Sequence, residues 1–251
     1  RNIIHKQKHE CSITYDVTIS GSLAYIANDA DGLRIVDLSD PVHPMEIGRL
    51  DLVQNSWGLD VRNNRACVVS GTRLDIVDVS TPSVPIWLGG LGLPDFVSDV
   101  VMDETYAYVA DSYAGLRIID ISDPATPVEV GFYDTAGETL SVTVWQGYAY
   151  IADGPDGLRV LDISNPANPA EAGWLDTPGH AMDIVRSGDQ LYLADSNGGV
   201  RIIDITDPAN PLELGFLDSL GGLGVAVSGT RLYTGSWDGL QDRKSTRLNS
   251  S

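Results

Sequence analysis

A unit of about 42 residues recurs along the chain, and this internal repeat constrains the fold more than any other feature of the sequence. The clearest copies read AYIANDADGLRIVDLSDP from Ala24, AYVADSYAGLRIIDISDP from Ala107 and AYIADGPDGLRVLDISNP from Ala149. Another copy starts at Leu191, a degenerate one starts at Ala66, and a sixth begins at Gly224 and stops near Gln241. One aspartate returns at spacings of 41, 42, 42 and 42 residues, at Asp37, Asp78, Asp120, Asp162 and Asp204.

Each copy contains four short extended segments rich in Val, Ile and Tyr, which are separated by Gly, Pro, Asn and Asp. No stretch carries the apolar 3.6-residue period of a helix. Four strands in such a unit are typical of a propeller blade, so the sequence predicts an all-β chain, a β-propeller of four-stranded antiparallel blades. We expect a ring that need not be complete, with five full blades and part of a sixth, over residues 12–54, 55–96, 97–138, 139–180, 181–222 and 223–241.

Residues that return in every copy are most simply explained by architecture. The arginine of each Leu-Arg pair is expected to pair with carboxylates, because buried ionic groups must be paired. The recurrent aspartate is expected to accept backbone N–H groups near the following Ser/Thr-Asp/Asn-Pro turn. In that turn, proline fits the second position of type I geometry. The residues concerned are Arg34, Arg117, Arg159 and Arg201, with Asp37, Asp120, Asp162 and Asp204.

The repeated motif resembles the LVIVD-repeat family, which looks related to YVTN-type and quinoprotein-like propellers. Its copies are residues 33–37, 116–120, 158–162 and 200–204, each followed by the proline turn. The resemblance covers roughly residues 14–240 and implies an exported or surface-attached protein, and it transfers no catalytic residues. Blade 2 departs from the motif, because it carries Leu74-Asp75-Ile76-Val77-Asp78.

Both ends of the chain lack repeat character. Residues 1–11 are out of register and could be the outer strand of a preceding blade or a non-native end. Residues 242–251, DRKSTRLNSS, interrupt the sixth copy and resemble the translation of a common sequencing adapter. We therefore expect a non-native tail there, and a parent protein that continues beyond Gln241.

Charge limits the kinds of partner. Acidic residues outnumber basic ones 35 to 16, which gives a net charge of −19. A surface this acidic repels phosphate backbones and anionic lipids, so we expect no nucleic-acid partner and no membrane insertion. The two cysteines, Cys11 and Cys67, have no zinc or disulfide spacing, and Cys67 is expected to be a buried thiol.

A ligand site in a propeller is expected where the blades differ, on the face shared by the blade connections and the second-to-third strand loops. The connections there contribute Trp57, Phe96, Glu138 and His180, and the loops contribute Tyr113 and Trp237. Aromatic and carboxylate side chains on such a rim could hold a protein or a polysaccharide, or could merely pack the loops. Just before the first strands lie Asp16, Gly58, Asp99, Ser141, Asp183 and Gly224.

Blade 2 stands apart from the other copies. Its loop residues 70–72 carry no acid, and Trp87 replaces the glutamate of the fourth strand. Trp57 and Phe96 bracket the blade. We therefore predict a partner-binding patch there, and the predicted ligand residues of the whole chain are Trp57, Trp87, Phe96, Tyr113 and His180.

Two chemical alternatives remain open. The acidic loops near Asp29, Asp153 and Asp195 could bind calcium. Each loop offers two or three oxygen ligands, however, where calcium takes about 6–8, so we expect no metal or other cofactor. The main functional prediction is a non-enzymatic extracellular or cell-surface binding or scaffold module. The alternative is a catalytic propeller (hydrolase, lyase or oxidoreductase) with acid–base residues Asp99, Glu138, His180 and Asp183.

Overall fold

The structure is a computed structural model that describes residues 13–218, 222–236 and 239–244. The predicted N-terminal segment 1–11 and most of the predicted tail therefore lie outside the described residues. The chain divides into two compact units, residues 1–109 with 118–130, and residues 110–117 with 131–251. The third β-sheet contributes residues to both units.

Six antiparallel sheets follow one another along the chain, and the first five have four strands in simple sequential order. Sheet 1 contains β1 Asp16–Ser20, β2 Leu23–Ala27, β3 Leu33–Asp37 and β4 Met45–Leu50. Sheet 2 contains β5 Ser56–Arg62, β6 Arg65–Ser70, β7 Arg73–Asp78 and β8 Ile86–Gly92. Sheet 3 contains β9 Asp99–Met102, β10 Tyr106–Ala110, β11 Leu116–Asp120 and β12 Val128–Tyr133.

The remaining sheets continue the same order. Sheet 4 contains β13 Ser141–Trp145, β14 Tyr148–Ala152, β15 Leu158–Asp162 and β16 Ala170–Leu175. Sheet 5 contains β17 Asp183–Ser187, β18 Gln190–Ala194, β19 Val200–Asp204 and β20 Leu212–Leu217. Sheet 6 has three strands, β21 Gly224–Ser228, β22 Arg231–Ser236 and β23 Gly239–Lys244.

These meanders confirm the predicted fold class, an all-β chain built from propeller blades. The sixth sheet runs further than the sequence boundary at Gln241, because Lys244 pairs with Arg231. A sheet in the interior of a unit has a neighbouring sheet packed against each of its two faces. This explains why the repeats contain apolar runs rather than strict alternation of apolar and polar residues.

In the first unit, two apolar layers lie between successive sheets. Leu33 and Ile35 pack with Val68 of sheet 2, while Leu74 and Ile76 of sheet 2 pack with the layer that includes residues 100–109. In the second unit, sheets 4, 5 and 6 are joined in the same way by two apolar layers. The recurrent Leu-x-Ile/Val positions are therefore core residues of each unit.

A bulge recurs between the third and fourth strands. In sheet 1 it leaves Ile47 without a partner, between Glu46, which pairs with Val36, and Gly48, which pairs with Ile35. Such an extra residue increases the local twist of the fourth strand. Register shifts occur at the corresponding positions of sheets 2, 4 and 5, at Ile76/Val77, Val160/Leu161 and Ile202/Ile203.

The glycine after each bulge has a packing role. A Cβ on it would collide with the carbonyl oxygen of the proline in the next blade's turn, so only glycine lets the turn lie against the strand. The repeated fourth-strand glycine and the proline of the turn thus form one contact between neighbouring blades. The pairs are Gly48 with Pro82, Gly89 with Pro124, Gly131 with Pro166 and Gly173 with Pro208.

Carboxylates also tie adjacent first strands together. Asp16 Oδ2 accepts the Leu59 N–H at 2.9 Å, and Asp183 Oδ2 accepts the Val225 N–H at 2.7 Å. Asp60 Oδ2 does the same for the Met102 N–H at 2.9 Å. These carboxylates satisfy strand N–H groups of the next blade, a structural use that the sequence did not assign to them.

Candidate functional site

Three aromatic side chains of the first unit form one cluster, which we call the aromatic cluster: Tyr15, Trp57 and Phe96. The ring centroids of Tyr15 and Trp57 are 3.9 Å apart with an interplanar angle of 40°. Those of Trp57 and Phe96 are 4.9 Å apart in an edge-to-face arrangement at 74°. Tyr15 and Phe96 are 41% and 40% exposed, so the cluster presents ring surface to solvent.

The backbone explains how the cluster forms. A register shift between Ser56 and Gly58 places Trp57 at an irregular point of β5. Phe96 precedes β9, where its N–H binds Asp95 Oδ1 at 2.8 Å, and the next residue, Val97, donates to the Gly71 carbonyl. Tyr15 precedes β1 and donates its N–H to the Ala27 carbonyl at 3.1 Å. Segments that lead into three successive blades therefore bring the rings together.

The Trp57 indole N–H is buried and has no hydrogen-bond acceptor among the described residues. An unpaired buried donor costs roughly 1–3 kcal/mol. Sequence reasoning selected Trp57 and Phe96 but missed Tyr15. The signal was present, since Tyr15 and Trp57 both directly precede the aligned positions Asp16 and Gly58.

Trp87, the third predicted residue of the blade 2 patch, does not join this cluster. It lies on the opposite edge strand, and its row of pairing partners, Val77 and Ala66, leads to Val61 at the far end of β5. Strand spacings place it about 14 Å across and about 13 Å along the sheet from Trp57. Its indole N–H instead donates to Asp75 Oδ1 at 2.9 Å.

Blade 2 inverts the charge pattern of its neighbours. In blade 1, Arg34 Nη1 binds Glu46 Oε2 at 2.7 Å. At the two corresponding positions blade 2 carries Asp75 and Trp87, and Asp75 Oδ1 also accepts the Arg73 Nε–H at 2.7 Å. The side chain of Asp75 is only 3% exposed, and its Oδ2 atom is buried without a hydrogen bond. The carboxylate thus replaces the guanidinium.

The other recurrent arginines pair with carboxylates as predicted. Arg117 lies 3.1 Å from Asp134 and 3.5 Å from Asp111. Arg201 lies 3.4 Å from both Asp195 and Glu213. Arg159 is more loosely surrounded, at 3.7–3.9 Å from Asp153, Asp156 and Glu171. These side chains are 9–17% exposed, which explains why each needs more than one acid.

The recurrent aspartates of the turns also behave as predicted. Asp37 Oδ1 accepts the Ser39 N–H at 2.8 Å, and the same bond recurs in each of the next four blades. Hydrogen bonds from the residue two positions later lower the pKa of Asp78, Asp120, Asp162 and Asp204. Asp40 accepts the His43 N–H through its carbonyl at 3.0 Å, which closes the Asp-Pro turn.

In the second unit, Glu138 and His180 lie beside the same glycine. A Cβ on Gly154 would be 3.1 Å from His180 Cε1 and 3.3 Å from Glu138 Cβ. Glu138 Oε1 accepts the Ser112 hydroxyl at 3.4 Å, and His180 Nδ1 lies 3.2 Å from Met182 Sδ. Tyr113, in the loop after Ser112, is 69% exposed.

The remaining acid–base candidates have structural contacts. Asp183 accepts the Ser141 hydroxyl at 3.1 Å and the Ile184 and Val225 N–H groups at 2.8 and 2.7 Å. Asp99 belongs to the first unit and accepts the Val100 N–H at 2.7 Å. The structure therefore places Glu138 and His180 close together. Asp183 has a structural role, because it links its own strand β17 to β21. Trp237 lies outside the described residues.

Asp153 and Asp195, which follow the second strands of blades 4 and 5, were expected in turns, and the structure buries both completely. Asp195 accepts the Thr177 hydroxyl at 2.6 Å and the Gly179 N–H at 2.9 Å. Asp153 accepts the hydroxyls of Thr135 and Thr139 at 2.7 and 3.1 Å, yet its burial raises its pKa. Each carboxylate holds the connection that enters its blade, a role sequence reasoning missed because the threonines lie outside the repeat motif.

Two features are absent from the described residues. The part of the chain that is described holds no group of three or more His, Cys, Asp or Glu placed to bind a metal ion. Those same described residues form no helix long and apolar enough to cross a membrane. The expectation that the chain binds no metal or other cofactor stays a prediction.

Repeated four-stranded blades with this packing define a β-propeller repeat protein. The LVIVD repeat matches residues 13–51, 55–90, 96–135, 136–177 and 178–218, so the chain belongs to the LVIVD repeat family. The expected family is thus confirmed. Curated proteins include no detectable match to this chain.

Solved structures resemble the chain at the level of the fold. A chain of the Mitotic Checkpoint Complex is 14% identical, with a TM-score of 0.79 over 95% of this chain and 76% of that chain. The computationally designed Ika8 protein is 11% identical, with a TM-score of 0.70 and coverage of 92% and 71%. A functionally unknown protein from Desulfotomaculum acetoxidans is 14% identical, with a TM-score of 0.70 and coverage of 89% and 79%. Identities this low establish the propeller fold alone.

Proposed function

We propose that the chain is a non-catalytic binding or scaffold propeller, active outside the cell or at its surface, whose ligand contacts the aromatic cluster. The observation that carries this proposal is the cluster itself, with Tyr15 and Phe96 about two-fifths exposed beside Trp57. Large, partly exposed aromatic side chains from separate segments are typical anchors of binding interfaces. The expectation of an extracellular location rests on the family.

A protein suits this cluster better than a polysaccharide does. The rings are inclined by 40° and 74°, so they form a wedge rather than a shared flat platform on which a sugar could stack. We therefore expect a side chain of a protein, rather than a sugar ring, to contact these rings. Tyr113, His180 and Trp87 remain predicted contacts elsewhere on the chain.

An array experiment tests the proposal. The purified chain is applied to arrays of extracellular proteins and of glycans, together with Phe96→Ala and the control Trp174→Ala, which removes another exposed aromatic side chain. We expect selective binding to a protein, lost in Phe96→Ala and kept in Trp174→Ala. Glycan binding that depends on Phe96 would replace the protein by a sugar, and binding indifferent to Phe96 would refute the site.

Catalysis is the second candidate, favoured by the position of Glu138 and His180 beside the same glycine, Gly154. The three hydrogen bonds to Asp183 make that carboxylate a poor proton carrier, which weakens the case. Turnover in a substrate panel that His180→Ala abolishes would favour the enzyme. Turnover unchanged by His180→Ala would exclude this pair.

A further inference from the structure

Arginine–aromatic contacts recur through the described structure. Five guanidinium groups lie over an aromatic ring, at 3.7–5.7 Å from its centroid. A cation over a ring face is attracted by the negative charge of that face. The pairs are Arg73 with Trp87, Arg117 with Phe132, Arg159 with Trp174, Arg186 with Trp145 and Arg201 with Phe216.

Trp57 and Phe96 are the exceptions among the tryptophans and phenylalanines whose side chains the structure describes. No described guanidinium lies over either ring, and these two rings contact one another. The aromatic cluster therefore offers ring surface of the kind that binds arginine elsewhere in the chain, without an internal arginine.

The surroundings of the cluster are negatively charged. Asp16 follows Tyr15 directly, and Asp95 precedes Phe96. Both carboxylates accept backbone hydrogen bonds, which fix their positions in the chain next to Tyr15 and Phe96. The whole chain carries a net charge of −19, so a basic partner is attracted over a longer range as well.

From these observations we infer that the aromatic cluster receives an arginine or lysine side chain of a basic protein partner. This inference rests on the proposed function and names the chemistry of its ligand. The carboxylates neutralise the incoming charge, and the ring faces of Tyr15 and Phe96 contact the cation. The partner's other residues would lie against the adjoining blade connections.

Small probes test the inference separately from the proposed function. The full chain, labelled with ¹⁵N, is titrated with Nα-acetyl-arginine amide and with its neutral isostere Nα-acetyl-citrulline amide. The Trp57 indole N–H signal, assigned from its loss in Trp57→Phe, reports binding. A salt concentration of about 0.3 M keeps the screening length below about 8 Å and suppresses unspecific attraction to the acidic surface.

We expect a saturable shift with the arginine probe and none with the citrulline probe. Phe96→Ala should weaken binding about fivefold, in keeping with the loss of one cation–ring contact, and Trp174→Ala should leave it unchanged. Equal shifts with both probes would overturn the cationic partner while leaving an aromatic binding site in place. No shift with either probe would also overturn the cationic partner. The array experiment would then test the proposed function independently.

The chain's own lysines, Lys6 and Lys8, are the competing occupants, since they precede Tyr15 in the sequence. A Lys6→Ala/Lys8→Ala variant tests them directly. Unchanged affinity for the arginine probe supports an external partner. A gain in affinity of tenfold or more, equivalent to about 1.4 kcal/mol, would mean that the chain fills its own cluster and would overturn the inference.

Discussion

Asp75 accepts the indole N–H of Trp87 at 2.9 Å, where blades 1 and 5 place an arginine against a glutamate. Arg73 supplies the compensating charge, with its Nε atom 2.7 Å from the same carboxylate oxygen. Blade 2 therefore departs from the repeat through linked substitutions rather than through isolated ones. The fold tolerates either polarity as long as the buried charge is paired.

Reversing one member of this set should be costly. Asp75→Arg would place a second guanidinium beside Arg73 and leave the Trp87 N–H without its acceptor, so we expect a loss of about 3–5 kcal/mol in the free energy of unfolding. Ser70 occupies the position of Asp153 and Asp195 in blades 4 and 5. Ser70→Asp/Asp75→Arg/Trp87→Glu therefore rebuilds the common pattern and should recover most of the lost stability. Urea denaturation measures both variants. A triple variant no more stable than the single one would show that the positions are not coupled.

Two threonines should differ in their effect on stability. Among the described residues, Asp195 accepts a single threonine hydroxyl, which Thr177→Val removes, whereas Thr135→Val leaves Asp153 with the hydroxyl of Thr139. We expect Thr177→Val to cost about 1–3 kcal/mol and Thr135→Val to cost less. Thermal unfolding of the two variants in parallel provides the comparison. Equal costs would mean that the second hydroxyl contributes nothing.

Two aspartates should give stability profiles of opposite slope with pH. Burial raises the pKa of Asp153 from 3.8, so the contribution of this residue to stability falls as pH rises through and above 3.8. The stability of Asp153→Asn relative to the unmodified chain should therefore increase as pH rises. The pKa of Asp162 is lowered by its bonds to Ser164, so its contribution falls as pH drops through and below 3.8. The stability of Asp162→Asn relative to the unmodified chain should therefore decrease as pH rises. Unfolding curves between about pH 3 and 7 test the signs, and slopes of equal sign would contradict the assignment.

The Cys67 thiol should be unreactive in the folded chain. The residue is fully buried, and burial raises its pKa to about 12. Because the thiolate is the reactive form, we expect no labelling by a disulfide reagent at pH 8 until the chain unfolds. The Cys11→Ser background removes the second thiol. Labelling of the native variant at the rate of an exposed cysteine would refute the buried position.

The periodic features of the chain were predictable because every blade solves the same packing problem. Leu33 and Ile35 recur as core residues, Asp37 recurs as a turn acceptor, and Arg34 recurs among carboxylates, so one copy explains the others. The aromatic cluster was only partly predictable. Tyr15 meets Trp57 through segments that lead into different blades, and no local pattern encodes that contact.

The buried acids were harder still to interpret from sequence. Asp153 and Asp195 stand in loops that look like exposed turns, and their burial depends on threonines from the connection between blades. The single patch predicted for blade 2 illustrates the same difficulty. Trp57 and Trp87 belong to the same blade, but strand order and register place them at opposite corners of its sheet.

The central claim, that the aromatic cluster binds a partner rather than only packing loops, is tested most directly by one dissociation constant. The protein selected on the array is titrated against the unmodified chain, Phe96→Ala and Trp174→Ala, each shown to be folded by circular dichroism. We predict that Phe96→Ala weakens binding at least about fivefold while Trp174→Ala does not. Equal dissociation constants for all three chains would contradict the account.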